Sequence, residues 1–179
     1  NGAFPPTWHA MERSVRNYVT IEDGQLNKDY TLEELSSSAK SICLRYDGLP
    51  NEYFLLENRQ QSGFDYYLEG HGLIIYKVDK NVQGFNNNCV NCDTTRLGFE
   101  LVTANGGKHE YKPWLGGYSY GEEQPFPGST NNHSFTDNTD PSSKSYNQYP
   151  LNKPVFRIME NTTTKNITFH VGDTTNFVN

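Results

Sequence analysis

The sequence has few aliphatic residues and no long apolar run. Hydrophobic residues make up 34% of the 179 positions, and aromatic residues, with 12 Tyr and 10 Phe, supply much of that share. The longest apolar runs, such as residues 72–76, fall far short of the roughly 20 residues that a membrane helix needs. No membrane span is therefore expected. A chain of this length can still bury a sizeable core, about 70% of its unfolded surface.

An excess of basic residues is also missing. The formal net charge is −6 and the isoelectric point is about 5.3. A nucleic-acid interface needs Lys and Arg clustered against phosphate, so no nucleic-acid partner is expected. A modest negative charge otherwise indicates little beyond solubility.

Motifs of the common single-site enzyme classes are absent. The sequence contains no His-Glu-x-x-His, no Gly-x-Ser-x-Gly, no phosphate-binding Gly-rich loop and no Gly-x-Gly-x-x-Gly. One Cys-x-x-Cys is present, at Cys89 and Cys92, whereas a zinc ribbon needs two such pairs. Most single-motif enzyme classes are therefore unsupported by this sequence.

The hydrophobic pattern predicts a mainly β (α+β) fold, with antiparallel strands, long loops and one short N-terminal helix. Residues 1–179 are expected to form a single lobe. Thr7 is a plausible N-cap, and Trp8, Met11 and Val15 then share one helical face. We expect this helix to dock on the rest of the chain through Trp8, because a helix this short needs tertiary packing.

Two segments, residues 53–60 and 72–79, are the strongest predicted strands, and they are expected to pair. Both are apolar at successive positions, which indicates that both of their faces are covered. Residues 105–153 have no clear periodicity, and loops of this length are usually functional, ion-bound or mobile. Further short strands are predicted at residues 19–21, 30–32, 41–46, 97–103, 154–158 and 167–171, with the last two forming a hairpin.

Charged and amide side chains end the first of these two strands. Strand alternation places Leu55, Glu57 and Arg59 on one face, and Asn58 and Gln60 on the other. Buried charges must be paired and hydrogen-bonded. The sequence therefore predicts a structural polar network, with a catalytic or substrate-binding role and an ion site as the alternatives, formed by Glu57, Asn58, Arg59, Asp65 and Asp79.

Residues 52–79 also carry a resemblance to a known family. They comprise Tyr-Phe-Leu-Leu-Glu-Asn-Arg-Gln, then Gly-Phe-Asp, then Gly-His-Gly-Leu-Ile-Ile-Tyr-Lys-Val-Asp. This order and spacing resembles the immune inhibitor A-like family of secreted bacterial zinc metallopeptidases, over about fifteen positions. Lys77 stands where that family usually has His. Weaker similarity extends over residues 5–13, 88–106 and 126–143.

The resemblance implies a C-terminal lobe of a peptidase domain without its zinc helix. In the family the His-Glu-x-x-His helix, a further ligand and the catalytic Glu all lie N-terminal to the matched region, so no zinc ligand is carried over to this chain. A zinc hydrolase needs such ligands to activate water. The implied partners are an N-terminal zinc-bearing half of the same parent protein and extracellular protein substrates. The implied localisation is secreted or cell-surface, and the chain is expected to be a processed piece.

Two smaller motifs are open to more than one interpretation. Cys89 and Cys92 can form a small disulfide in an oxidising compartment. The alternative is a thioredoxin-type redox role, but no predicted helix follows the pair to lower the thiol pKa. Asp137, Asn138 and Asp140 place oxygen ligands close together, which suits calcium, although a plain Asx-turn loop has the same composition. Zinc is expected only in the parent, and calcium is the one cofactor that the sequence suggests here.

Two rival functions remain open beside the peptidase lobe. One is a secreted, non-enzymatic binding or adhesion β domain, because Tyr111, Trp114, Tyr118 and Tyr120 suit stacking against sugars. The other is a degenerate relative that acts as an inhibitor or scaffold. In each of these three hypotheses the isolated chain is non-catalytic.

Overall fold

Ten strands, one α-helix and two short 3₁₀ helices form the regular structure of the described residues, which are 5–107, 111–112, 117–118 and 121–173 of a computed structural model. The predicted mainly β class with one short N-terminal helix is confirmed. The elements are α1 (Ala10–Val15), β1 (Thr20–Asp23), β2 (Lys28–Leu32), β3 (Lys40–Tyr46), β4 (Leu49–Arg59), β5 (Gly72–Asp79), β6 (Phe99–Val102), β7 (Tyr111–Lys112), β8 (Gly117–Tyr118), β9 (Val155–Glu160) and β10 (Ile167–Val171), with 3₁₀ helices at Gly63–Asp65 and Gln83–Asn86.

A five-stranded sheet with the order β1-β3-β4-β5-β6 forms the centre of the molecule. Its longest pairing is β4 with β5, antiparallel from Glu52 opposite Asp79 to Arg59 opposite Gly72, as the sequence predicts. β1 and β3 run parallel, which the sequence pattern does not indicate. β9 and β10 form the predicted hairpin in a three-stranded sheet with β2, and β7 pairs with β8.

Alternate residues of β4 belong to two separate hydrophobic clusters, so both faces of the sheet are buried. Phe54 and Leu56 belong to the larger cluster, which contains residues of the five-stranded and the three-stranded sheets. Tyr53 and Leu55 belong to the smaller cluster, which lies under α1. The period of two along a strand explains this division, and it explains why the two strongest strands have nearly continuous apolar sequences.

Helix α1 docks differently from the sequence prediction. Trp8 and Val15 are 55% and 78% exposed, and the residue that α1 buries completely is Ala10. The N-cap is His9, not Thr7: its ring accepts a hydrogen bond from the backbone N–H of Glu12. Docking through Trp8 was therefore wrong, because a six-residue helix approaches the sheet closely through its smallest side chain. Within the described residues no helix is long and apolar enough to cross a membrane.

Candidate functional site

A buried cluster of three charged side chains lies where β4 ends. The Arg59 Nε donates to Glu57 Oε1 over 2.7 Å, and Arg59 Nη1 donates to Asp65 Oδ2 over 2.9 Å. Glu57 and Asp65 are fully buried, and the Arg59 side chain is 7% exposed. We call Glu57, Arg59 and Asp65 the buried triad. Two carboxylates and one guanidinium leave it with a formal charge of −1.

The buried triad holds the N-terminal segment against the sheet. The Thr7 N–H donates to Asp65 Oδ1 over 2.7 Å, and the Ala10 N–H donates to Glu57 Oε2 over 2.6 Å. Arg59 Nη1 donates to the Thr7 carbonyl over 2.7 Å. These bonds join residues 47 to 58 positions apart in the sequence. Every oxygen of the two carboxylates therefore accepts a hydrogen bond, as the burial of charge requires.

Arg59 is charged in this environment. Burial alone would lower the pKa of its guanidinium, but the adjacent Glu57 and Asp65 carboxylates outweigh that effect and hold the pKa above its ordinary value. The guanidinium is planar and rigid, and it contacts both carboxylates and a backbone carbonyl at once. A lysine could not reproduce this geometry, because its ammonium group lacks the fork of donors.

A cleft of about 330 Å³ opens between the N-terminal segment and the sheet, directly over Arg59. Its floor includes Ile74 and Tyr76 of β5 and Leu101 of β6. We call it the helix-side cleft. Trp8, His9 and Glu12 form the wall that belongs to the N-terminal segment, and Gln124 and Pro125 lie among the other lining residues. Trp8, which the sequence predicts to dock the helix on the core, thus lines a cleft.

His9 in this cleft is held as a neutral imidazole. Burial lowers its pKa, against the opposing effect of the Glu12 and Glu57 carboxylates. Its ring stacks on Phe99 at 4.3 Å between centroids, and its Nδ1 accepts the capping hydrogen bond from the Glu12 N–H. A protonated ring would lose that acceptor. The packing and the capping therefore favour the same uncharged form.

Tyr76 beside His9 is also held in its neutral form. Burial raises the pKa of its phenol, and the negative charge of Glu57 raises it further. The helix-side cleft thus presents a neutral imidazole, a neutral phenol, an exposed indole and the Glu12 carboxylate. Such a surface suits the binding of a partly apolar ligand. Among the described residues that line it, none is a nucleophile activated by a neighbouring base.

Asp79 lies apart from the buried triad, at the opposite end of β5, although the sequence grouped the four charged residues together. Its Oδ2 accepts from Arg96 Nε over 2.6 Å, and Arg96 Nη2 also reaches Glu52 Oε1 at 3.2 Å. We call Glu52, Asp79 and Arg96 the rim triad, because the Arg96 side chain is 35% exposed. The long antiparallel pairing of β4 with β5 separates Asp79 from Arg59, since these residues lie at its two ends.

Asn58 points away from the buried triad, to the other face of the sheet as strand alternation predicts. Its Nδ2 donates to the carbonyls of Leu32 and Lys165, each over 2.8 Å, and its Oδ1 accepts from Gln60 Nε2. Asn58 therefore ties β4 to the three-stranded sheet. The predicted network is thus divided among three places, and only Glu57, Arg59 and Asp65 lie together.

The suggested calcium loop is built around Asp137. Its Oδ1 accepts from the Leu151 N–H and from Ser143 Oγ, each over 2.8 Å, and its Oδ2 accepts from the Asn152 N–H over 2.9 Å. The Asn138 N–H donates to Thr136 Oγ1, and Asp140 lies against Gly106. In the described part of the chain no three His, Cys, Asp or Glu side chains are grouped to hold a metal ion. Calcium at this loop stays a prediction.

The cysteines occupy two different environments. Cys89 and Cys92 are joined by a disulfide in the loop before β6. Cys43 is a free thiol buried in β3, and burial raises its pKa to about 11. A thiol in this state reacts slowly, because the thiolate is the nucleophile.

Sequence reasoning did not identify His9, Glu52 or Arg96 as members of these sites. Glu52 and Asp79 stand opposite each other once β4 and β5 are paired, so the register would have indicated their proximity. Arg96 comes from an irregular loop and His9 from the turn before a short helix. Neither position has a periodic pattern that predicts its neighbours.

Comparison with known proteins adds no relative. No protein-family model, no curated protein and no solved structure matches the chain.

Proposed function

We propose that this chain is the C-terminal lobe of a secreted zinc metalloendopeptidase that hydrolyses extracellular proteins. In this proposal the lobe carries no zinc ligand and is non-catalytic alone. Its role is to wall the substrate cleft beside an N-terminal, zinc-bearing half of the same parent. The resemblance of residues 52–79 to the immune inhibitor A-like peptidases motivates the proposal.

The observation that carries the proposal is the buried triad and what it binds. Three of the resemblance's positions, Glu57, Arg59 and Asp65, lie together and hold residues 7–10 against the sheet. In the family the segment similar to residues 5–13 follows the zinc helix. A lobe that grips this segment would keep its own cleft at a fixed position beside the zinc half.

Two preparations test the proposal: the 179-residue chain, and the native protein captured from cells and medium with an antibody against this chain. The proposal expects a native species well above 20 kDa that contains about one zinc per molecule and cleaves casein. It expects no metal-dependent cleavage by the 179-residue chain. A native species of about 20 kDa, or zinc-dependent cleavage by the isolated chain, would contradict it.

A non-enzymatic glycan-binding domain is the second candidate, and one observation favours it. Phe64, Tyr66 and Tyr67 are 67%, 63% and 67% exposed within a single turn. Exposed rings of this kind suit stacking on sugar faces. The aromatic residues first suggested for this role fall elsewhere: Trp114 and Tyr120 lie outside the described residues, as do the side chains of Tyr111 and Tyr118.

A glycan array separates the two candidates. Glycan binding by the 179-residue chain, lost when Tyr66 and Tyr67 are both changed to Ser and kept when the distant exposed Tyr149 is changed to Ser, would support the binding domain. Absence of any bound glycan, together with a zinc-containing native species, would leave the peptidase lobe.

A further inference from the structure

Strand β6 lies at the edge of the five-stranded sheet and has one neighbour, β5. Its four residues are all half-buried. Along an antiparallel strand the backbone N–H and C=O groups of successive residues point alternately towards and away from the neighbour. The Asp79 N–H donates to the Gly98 carbonyl, so the backbone N–H and C=O groups of Glu100 and Val102 also point towards β5. Those of Phe99 and Leu101 point away from β5, past the edge of the sheet.

The outward groups of Phe99 are already paired with an amide. The Phe99 N–H donates to Asn91 Oδ1 over 3.0 Å, and Asn91 Nδ2 donates to the Phe99 carbonyl over 2.8 Å. This exchange of two hydrogen bonds is the one that a residue of an adjacent strand would make. The edge of β6 thus already accepts a peptide-like group at one position.

Leu101 is the next outward position. Among the described residues neither its N–H nor its C=O has a hydrogen-bond partner. Its backbone is therefore left with the two groups that pair with a peptide, next to a position where such pairing is complete.

A cleft adjoins this edge on each face of the sheet. The helix-side cleft contains Ile74, Tyr76 and Leu101 on the face that His9 covers. A second cleft of about 720 Å³ continues past the edge to Lys77 and Glu100 on the opposite face, and includes Thr103 and Asp140. The first is mainly apolar, whereas the second exposes polar and apolar atoms in about equal measure and has Lys77, Glu100 and Asp140 among its lining residues. Side chains of a strand alternate between faces, so an added strand would place successive side chains in the two clefts.

We propose that the Leu101 edge of β6 binds an extended polypeptide segment of another protein as an added strand. Main-chain hydrogen bonds at Leu101 would supply the attachment. Alternate side chains would select for sequence, with apolar residues entering the helix-side cleft and polar residues the second cleft. The choice of a polypeptide as the ligand rests on the proposed peptidase function. Binding of the polypeptide to this edge requires neither zinc nor catalysis.

The test uses a probe whose edges can be blocked separately. The probe is acetyl-Thr-Leu-Thr-Leu-Thr-Leu-amide, with two versions N-methylated at either the odd or the even amides. Binding to the 179-residue chain is measured by isothermal calorimetry and by hydrogen exchange of the Leu101 amide. We expect one methylated version to bind at least about tenfold more weakly and the other to bind like the parent peptide, since a strand pairs through one edge. We also expect slower Leu101 exchange on binding.

A variant of the chain tests the same site from the protein side. Leu101→Pro removes the outward N–H without removing a donor to β5, which is where proline is tolerated in a sheet. We expect it to keep the circular dichroism spectrum of the wild type and to lose peptide binding at least about tenfold. Asn91→Ala is the complementary change: it frees the Phe99 groups, and we expect bound peptide to protect the Phe99 amide as well.

Each remaining outcome overturns the assignment. Equal binding of both methylated peptides, unchanged Leu101 exchange, or peptide binding by folded Leu101→Pro would show that the edge is not the site. If Leu101→Pro does not fold, the methylated peptides decide on the wild-type chain. Leu101 protection that rises with protein concentration alone would assign the edge to a second copy of this chain.

The assay also separates this inference from the proposed function. Peptide binding without casein cleavage by the native protein would support the edge site and contradict the peptidase function. Casein cleavage without peptide binding at the edge would support the peptidase function and contradict the edge site.

Discussion

The two charged triads of the central sheet have the same composition and different surroundings. Each contains one arginine and two fully or nearly fully buried carboxylates, at opposite ends of the β4–β5 pair. In the buried triad the Arg59 side chain is 7% exposed, whereas in the rim triad the Arg96 side chain is 35% exposed. The buried triad binds the backbone of residues 7–10. The rim triad anchors the loop before β6 through Arg96, and that loop also contains the Cys89–Cys92 disulfide.

This difference shows how burial makes an ion pair hold segments together that are distant in the sequence. Around Arg59 the Glu57 and Asp65 carboxylates are shielded from water, so each charge depends on the others and on the N-terminal backbone. Around Arg96 solvent can rehydrate the carboxylates when the guanidinium leaves, so the interaction is worth less. The same residue types therefore give a rigid attachment at one end of the sheet and a loop anchor at the other.

Removal of each arginine gives the largest expected effect. Arg59→Met would leave two buried carboxylates without a counter-charge, and we expect it to lower the free energy of unfolding by about 3–5 kcal/mol. Arg96→Met, the matched change in the rim triad, should cost about 1 kcal/mol, because solvent can hydrate its carboxylates from the exposed side of Arg96. Urea unfolding with comparable slopes for both variants measures the difference. Equal losses would remove the distinction between the triads.

A smaller change tests the attachment of the N-terminal segment. Both oxygens of Glu57 accept hydrogen bonds, one from Arg59 and one from the Ala10 N–H. In Glu57→Gln the new NH₂ group must face one of these donors, which should cost about 1–3 kcal/mol. We expect hydrogen exchange of the Ala10 amide to accelerate roughly 10–100-fold, as that cost implies.

Glu12→Gln is the control for this prediction. Glu12 lies in α1, the helix that contains Ala10, but its carboxylate is half exposed and 3.4 Å from His9. We expect less than about 0.5 kcal/mol and no change in Ala10 exchange. Acceleration of similar size in both variants would mean that the helix, rather than the triad, limits the exchange.

The sequence predicts the strands of this fold better than it predicts its charged sites. The strands follow from local apolar periodicity, and the alternation of Leu55, Glu57 and Asn58 along β4 places each on its observed face. The partners of these residues depend on register and on irregular loops. Arg96 and His9 come from such loops, so a pattern of single residues cannot locate them. Trp8 was misplaced because a large apolar residue at a helix face predicts burial, whereas here it lines a cleft.

The disulfide in the loop of the rim triad should contribute moderately to the free energy of unfolding. Cys89 and Cys92 are only three positions apart, and a loop this short removes little entropy from the unfolded chain, about 2 kcal/mol or less. We expect the Cys89→Ser/Cys92→Ser double variant to lose no more than that in urea unfolding. The loss should not add to that of Arg96→Met, since both changes release the same loop. Full additivity would show that the loop is held independently by each.

The pH dependence of His9 is the finest test of the buried side. Burial lowers the pKa of His9 in the folded protein, so the unfolded chain takes up its proton at higher pH than the folded one. Stability from neutral His9 is therefore complete above the ordinary histidine value of 6.5. It is lost as the pH falls through the lower folded value, with a slope of at most about 1.4 kcal/mol per pH unit.

Glu12, Glu57 and Arg59 face the His9 ring and also shape its titration, so the measurement is the difference between two profiles. His9→Asn keeps a capping oxygen for the Glu12 N–H and removes the titrating group. We expect its unfolding free energy to fall less steeply than that of the wild type below pH 6.5. Parallel profiles would mean that His9 titrates alike in the folded and unfolded states, and that burial in the wall of the helix-side cleft does not lower its pKa.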